Sequence, residues 1–127
     1  MEAYCLYRVL AIVSSVRIPS NKKLEEGTMV CYVVGQLNVQ DWELYKKYQL
    51  AFRELFHGYD ARVLAADNAP KLVEGDWPHG RFAMLEFRDR AEAERWYYSD
   101  TYQEAIKQYR WPASTGSLIF VEGLPAR

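Results

Sequence analysis

The sequence predicts an α+β fold, a ferredoxin-like β-α-β-β-α-β sandwich whose four-stranded antiparallel sheet carries both helices on one side. Three observations lead there. Four stretches rich in β-branched and aromatic residues, near 30–39, 60–66, 81–87 and 117–122, alternate in side-chain character. Helical-period stretches follow the first and third of them, each behind a capping aspartate, Asp41 and Asp89. Right-handed crossovers then leave one compact way to join the pieces.

The totals agree with a single domain. The chain has 127 residues, half of them hydrophobic, and ten tyrosines, enough for a real core. Sixteen basic residues against seventeen acidic ones leave a net charge of -1, so nothing favours nucleic acid or a membrane surface as partner. Cys5 and Cys31 have no paired spacing, and a reducing, cytoplasmic setting is expected. The two histidines stand apart in sequence and no phosphate-cradling glycine pattern occurs, so neither a metal nor a cofactor is implied.

Residues 1–28 differ in character from the rest. Leu6 to Val16 is apolar but contains Arg8 and is too short to span a membrane, and Pro19 to Gly27 reads as linker. The folded domain is expected to be 29–127. The first 28 residues form an extension, either disordered or an extra strand packed on the domain.

From Val30 to Val39 the chain reads as a strand with two unlike faces. Asp41 caps a helix running to about His57, in which Tyr45, Tyr48, Phe52, Leu55 and Phe56 recur at core spacing. Gly58 is expected to end it in the left-handed conformation. Asp60 to Ala66 is the second strand, and Lys71 to Glu74 a short extra one. The turn-rich segment Glu74 to Gly80 feeds the third strand, Arg81 to Phe87. Asp89 with Glu92 forms a capping-box pattern for the second helix, Ser99 caps a further piece carrying Tyr102, Ile106 and Tyr109, and Pro112 stops it. Ser117 to Glu122 closes the sheet.

Strand parity carries the functional expectation. The helix-facing set is Cys31, Val33, Leu37, Ala61, Val63, Ala83, Leu85, Phe87, Ile119 and Val121. The opposite set holds Tyr32, Val34, Gln36, Arg62, Leu64, Phe82, Met84, Glu86, Leu118, Phe120 and Glu122, too greasy for water and too polar for a dry core. Two such faces paired around a partly polar cavity would meet both demands, which predicts a homodimer.

Asp41-Trp42-Glu43-Leu44-Tyr45, His57-Gly58, Glu74-Gly75-Asp76-Trp77, Glu86-Phe87, Trp96-Tyr97-Tyr98-Ser99, Tyr102-Gln103 and Val121-Glu122-Gly123 occur in order. In these the chain resembles the domain-of-unknown-function 1330 family, and through it the dimeric α/β-barrel superfamily. That resemblance implies two paired ferredoxin-like sheets, with relatives that include cofactor-free monooxygenases, lactone isomerases and haem proteins. Where the family tends to carry Gly-Gly-Arg and a later arginine, this chain has Gly58-Tyr59-Asp60 and Leu64, with Arg62 between.

The leading expectation is a small, partly apolar organic ligand in the sheet cavity, lined or closed by Tyr32, Gln36, Arg62, Glu86 and Trp77. An alternative from another class is a cofactor-independent oxygenase or isomerase with Glu86 or His79 as acid/base. A third is a structural dimerisation module. For Glu86 the competing structural role is an ion pair with Arg62, for His57 a helix cap, and for His79 an ordinary surface position. Trp96, Tyr97 and Tyr102 read as core, Ser99 as a cap, and Cys31 as inert.

Overall fold

The computed structural model describes residues 29–125. The expectations for residues 1–28 lie outside the described residues.

Nine residues, Cys31–Val39, form β1, with burial alternating as the period-2 pattern requires. Helix α1, Trp42–Phe56, starts where expected: the Asp41 carboxylate accepts from the Leu44 amide at 3.0 Å. Its end differs from expectation. Gly58 has no positive φ; the chain instead tightens, with Gly58 N donating to Leu55 O at 3.1 Å and Tyr59 N to Phe56 O at 3.2 Å. These short turns satisfy the last carbonyls without a left-handed residue.

Strand β2, Ala61–Asp67, and strand β3, Arg81–Phe87, are linked by a segment that contains no strand, so Lys71 to Glu74 is loop. Helix α2, Arg90–Tyr97, is capped by Asp89, and α3, Asp100–Ala105, by Ser99. A π-helical turn, Ile106–Arg110, follows, then one turn of α-helix, Trp111–Ala113, so the helical run passes through Pro112. Strand β4, Ser114–Glu122, begins three residues before the position expected.

The sheet order is β2-β3-β1-β4, antiparallel throughout. This is the ferredoxin-like arrangement. Facing residues in an antiparallel pair share a side of the sheet, so the register tests the parity assignment directly. It holds for β1 and β3. In β4, Val33 faces Phe120 and Gly35 faces Leu118, which puts Leu118 and Phe120 on the helix side and Ile119 and Val121 on the open side, the reverse of the expectation. Glu122 faces Cys31 and goes with the helix side too. Apolar residues occupy both parities of this strand, so composition alone could not choose. One fixed point is Gly116, at φ 144° opposite Leu37, where a Cβ would lie 2.1 Å from Gln36 O.

A bulge at Leu64 breaks the pairing of β2: Val63 faces Leu85, but Ala65 faces Met84 and Ala66 faces Ala83. Beyond it the strand's parity inverts.

Trp96, Tyr102, Phe87, Ile106, Val33 and Cys31 are fully buried. The Trp96 ring lies 4.3 Å from that of Tyr102 and 5.1 Å from that of Phe87, an aromatic stack between sheet and helices. Cys31 is a free thiol in this core, and burial pushes its pKa up.

Glu92 makes only half of the expected capping box. Its amide donates to Asp89 Oδ1, but its carboxylate, only 4% exposed, turns to other donors. It accepts from Asp60 N at 2.9 Å, Arg95 Nη2 at 2.8 Å and Arg88 Nη2 at 3.2 Å, tying α2 to the start of β2. The Arg95 hydrogen bonds, then the Asp60 amide, hold the Glu92 pKa down to about 2 against the opposing effect of burial. A depressed carboxylate stabilises the fold above its ordinary pKa, and the contribution is lost as pH falls towards the native value. Urea unfolding across acid pH is expected to show wild-type stability falling from about pH 4.5 to 2 through this group. Glu92→Gln should begin roughly 2 kcal/mol lower at neutral pH and lose less over that window; an equally steep acid loss in the variant would refute the assignment.

Candidate functional site

The helix-facing side of the sheet is floored by small residues. Gly35 of β1, Ala83 of β3, and Ala61 and Ala66 of β2 all point there or lie on that side. Above them α1 presents a ridge at helical spacing, Tyr45, Tyr48, Phe52 and Phe56. Such a floor gives the ridge nothing to interdigitate with, and a cavity of about 570 Å³ remains between helix and sheet. Known small-molecule sites have similar volumes, roughly 300–1,000 Å³. Val33, Leu37, Val63, Leu85 and Leu118 complete the apolar lining, with Trp96 and Tyr102 at the rear.

The polar groups of this cavity come from four elements. From α1, Tyr48 meets Tyr102 of α3, hydroxyl to hydroxyl, at 2.6 Å. Burial drives both phenols up, Tyr48 to about 12 and Tyr102 well above the usual value, while the Arg110 charge pulls the other way. Both are therefore protonated at neutral pH. Arg110, from the π-helical turn, sets its guanidinium carbon 5.5 Å from the Tyr48 ring centroid. At the start of β3, Arg81 Nε donates to the Tyr45 hydroxyl at 3.2 Å, and Nη1 donates to Asn68 Oδ1. Gln49, and the exposed Arg53 and His57, lie along the α1 edge.

The residues expected to hold a ligand lie elsewhere. Tyr32, Gln36, Arg62 and Glu86 are on the helix-free side, and none lines the large cavity. Trp77 leans over the same side, its ring 6.4 Å from that of Phe82. His79 packs edge-on to Trp77 at 5.4 Å, and His79 Nδ1 and Trp77 Nε1 are buried without a hydrogen-bond partner among the described residues. Arg62 Nε reaches Glu86 Oε1 at 2.7 Å, the ion pair that was the structural alternative for Glu86. Both line a smaller depression of about 170 Å³ with Val30, Asp60 and Arg88. Among the described residues no group of three His, Cys, Asp or Glu side chains could hold a metal, and no helix is long and apolar enough to cross a membrane.

Sequence reasoning therefore brought together the open-face residues and missed the helix-side site. A signal was present: Gly35 and Ala83 fall on the helix-facing parity within their strands, with Ala61 on the same parity at the start of β2, where a filled core would want larger side chains.

The model of the domain of unknown function DUF1330 matches residues 30–124, most of the chain. The protein belongs to the DUF1330 family. No curated protein matches it. Among solved structures, this DUF1330 chain is similar to a protein of unknown function, RPA0582, from Rhodopseudomonas palustris, with 14% identity, a TM-score of 0.60, and 90% and 99% of the two chains covered. A DABB-family protein with a ferredoxin-like fold from Mesorhizobium loti aligns with a TM-score of 0.53 and 11% identity over 78% of this chain and 98% of its own. SnoaB, a cofactor-independent oxygenase from Streptomyces nogalater, gives a TM-score of 0.51 and 14% identity over 79% and 94%. At such identities these likenesses establish the ferredoxin-like fold that this DUF1330 protein shares with them.

The tyrosine pair gives a direct test of the cavity's rear wall. Tyr48→Phe strands the buried Tyr102 hydroxyl and is expected to cost about 1 kcal/mol in urea unfolding. The double variant with Tyr102→Phe should cost less than the sum of the two single changes, because no partner is then left unpaired. Since a raised phenol pKa stabilises below the unfolded value and is lost above it, wild-type stability should fall as pH rises past about 10, and less so in the double variant.

Proposed function

We propose that the protein binds a small, partly apolar organic molecule in the helix-side cavity, and that it does so as a homodimer joined through the open faces of two sheets. One observation carries the ligand reading: a cavity of about 570 Å³ with an apolar floor and a few convergent polar groups.

The dimer reading rests on the helix-free side. Ile119 is 50% and Val121 40% exposed, and they share that side with Val34, Phe82 and Met84. A contiguous apolar patch of this kind is characteristic of a surface that is covered in the working molecule. Tyr32, Gln36, Trp77 and the Arg62–Glu86 pair then become contacts between subunits. Burial of the ion pair there is tolerable because each charge already has its partner. Cys31, buried and without a disulfide partner among the described residues, accords with a reducing, cytoplasmic setting.

We attach no reaction to the cavity. Glu86 is on the opposite side of the sheet, and His79 packs on Trp77 above that same side, so neither supplies an acid/base within the cavity.

Two measurements test the reading. Light scattering at micromolar concentration should report twice the 14.9 kDa chain mass, and Ile119→Glu with Val121→Glu should return it to that of a monomer; a monomeric wild type removes the dimer. Phenol at about 100 times its dissociation constant should stabilise the wild type by about 2.7 kcal/mol. Ala83→Phe, which fills the floor, should abolish that response; an unchanged response would place binding outside the cavity.

A further inference from the structure

Arg110 is 94% buried by its 6% exposure, yet among the described residues it has no carboxylate within ion-pairing distance. Its Nε is buried without a hydrogen-bond partner. A guanidinium in this condition is costly, since burial of a charge is ordinarily compensated by an opposite one. It comes from a π-helical turn, a local distortion found disproportionately at functional sites.

Arg81, half-buried, likewise has no carboxylate within ion-pairing distance among the described residues. Its two acceptors, the Tyr45 hydroxyl and the Asn68 amide oxygen, are both neutral. The strand that could have brought an acid to it does not. Without the bulge at Leu64, the alternation Ala61, Val63, Ala65 would continue to Asp67 on the cavity side; with it, Asp67 faces Phe82 on the open side and accepts from Ala69 N at 2.9 Å. Among the described residues no aspartate or glutamate lines the cavity, while Arg53, Arg81 and Arg110 all do. The tyrosine pair adds a donor. Two hydroxyls sharing one hydrogen bond use one proton between them, leaving the second phenolic proton for another acceptor.

We propose that the ligand is a small organic acid, its carboxylate seated at the Arg110 guanidinium and the spare hydroxyl of the Tyr48–Tyr102 pair, and its apolar body lying over Gly35 and Ala83. The carboxylate supplies the missing counter-charge and two acceptor oxygens for the donors that face it. Arg81 attracts the anion from the β3 end. Phe52 and Phe56 line the cavity beside the body of the molecule. This identification rests on the cavity being a ligand site, and the experiment separates the two claims.

Purified full-length protein is titrated at neutral pH with 4-(trifluoromethyl)benzoate and, separately, with the uncharged 4-(trifluoromethyl)benzamide, following the fluorine NMR signal. The acid should bind at least about tenfold more tightly than the amide, the discrimination expected of a charge-assisted hydrogen bond in a buried site. Arg110→Met should erase that preference. Asn68→Asp, an exposed change that gives Arg81 a counter-charge without altering the cavity wall, should weaken the acid about threefold and leave the amide unchanged; it decides the matter should Arg110→Met fail to fold. Equal affinities in the wild type, a preference that survives Arg110→Met, or an acid affinity untouched by Asn68→Asp would each overturn the organic-acid assignment while leaving a cavity that binds neutral molecules. Binding of neither compound would overturn the cavity reading, and this assignment with it.

Discussion

Side chains of unequal length face each other across the sheet–helix interface, and most of the molecule's functional character follows from that mismatch. The long aromatic ridge of α1 stands over glycine and alanine, and a gap remains between them. Helix α1 is held by its aromatic neighbours at the rim: Phe52 meets Trp96 edge-on at 6.3 Å, and Phe56 meets Phe87 edge-on at 5.7 Å. The stack of Trp96 with Tyr102 and Phe87 supports the other end of the layer. Empty volume can persist because these contacts bear on its rim. Dense packing elsewhere is the condition for a hole here.

The two sides of the sheet thereby acquire different roles. On the helix side the apolar surface is folded into the core, apart from the cavity. On the other side, residues of the same apolar character remain uncovered, mixed with an ion pair that is already neutralised. A protein that both leaves a void and exposes a greasy plane has more unsatisfied surface than its fold requires. Under the proposed reading each has a binding partner of its own kind, a small molecule for one and a second chain for the other.

Much of this architecture was legible in the sequence. Asp41, Asp89 and Ser99 were identifiable as caps because local hydrogen bonding decides them, and each makes the amide contact that its spacing implies. The parity of β1 and β3 was equally plain, since one face of each is nearly all apolar. Where the reading failed, the deciding contacts were distant in sequence. β4 has apolar residues on both parities, so its orientation comes from pairing with β1. The bulge at Leu64 and the π-helical turn at Ile106–Arg110 leave no local signature, being solutions to tertiary packing. The candidate site depends on all three, which is why its residues were read as core while attention went to the open face.

The π-helical turn has a bearing on how this domain can diverge. Such a turn holds one more residue than the α-helical turn it replaces. Loss of a single codon within Ile106–Arg110 would restore regular winding and keep the flanking segments in phase, so that only the residues of the turn itself change place. Pro112 and the β4 pairing anchor the downstream end, so the change would fall on the segment that carries Arg110. A lineage could thus extinguish the buried cation in one mutational event and keep the scaffold. Among descendants of a common ancestor, length in this one segment would then separate chains built for charged guests from chains built for neutral ones.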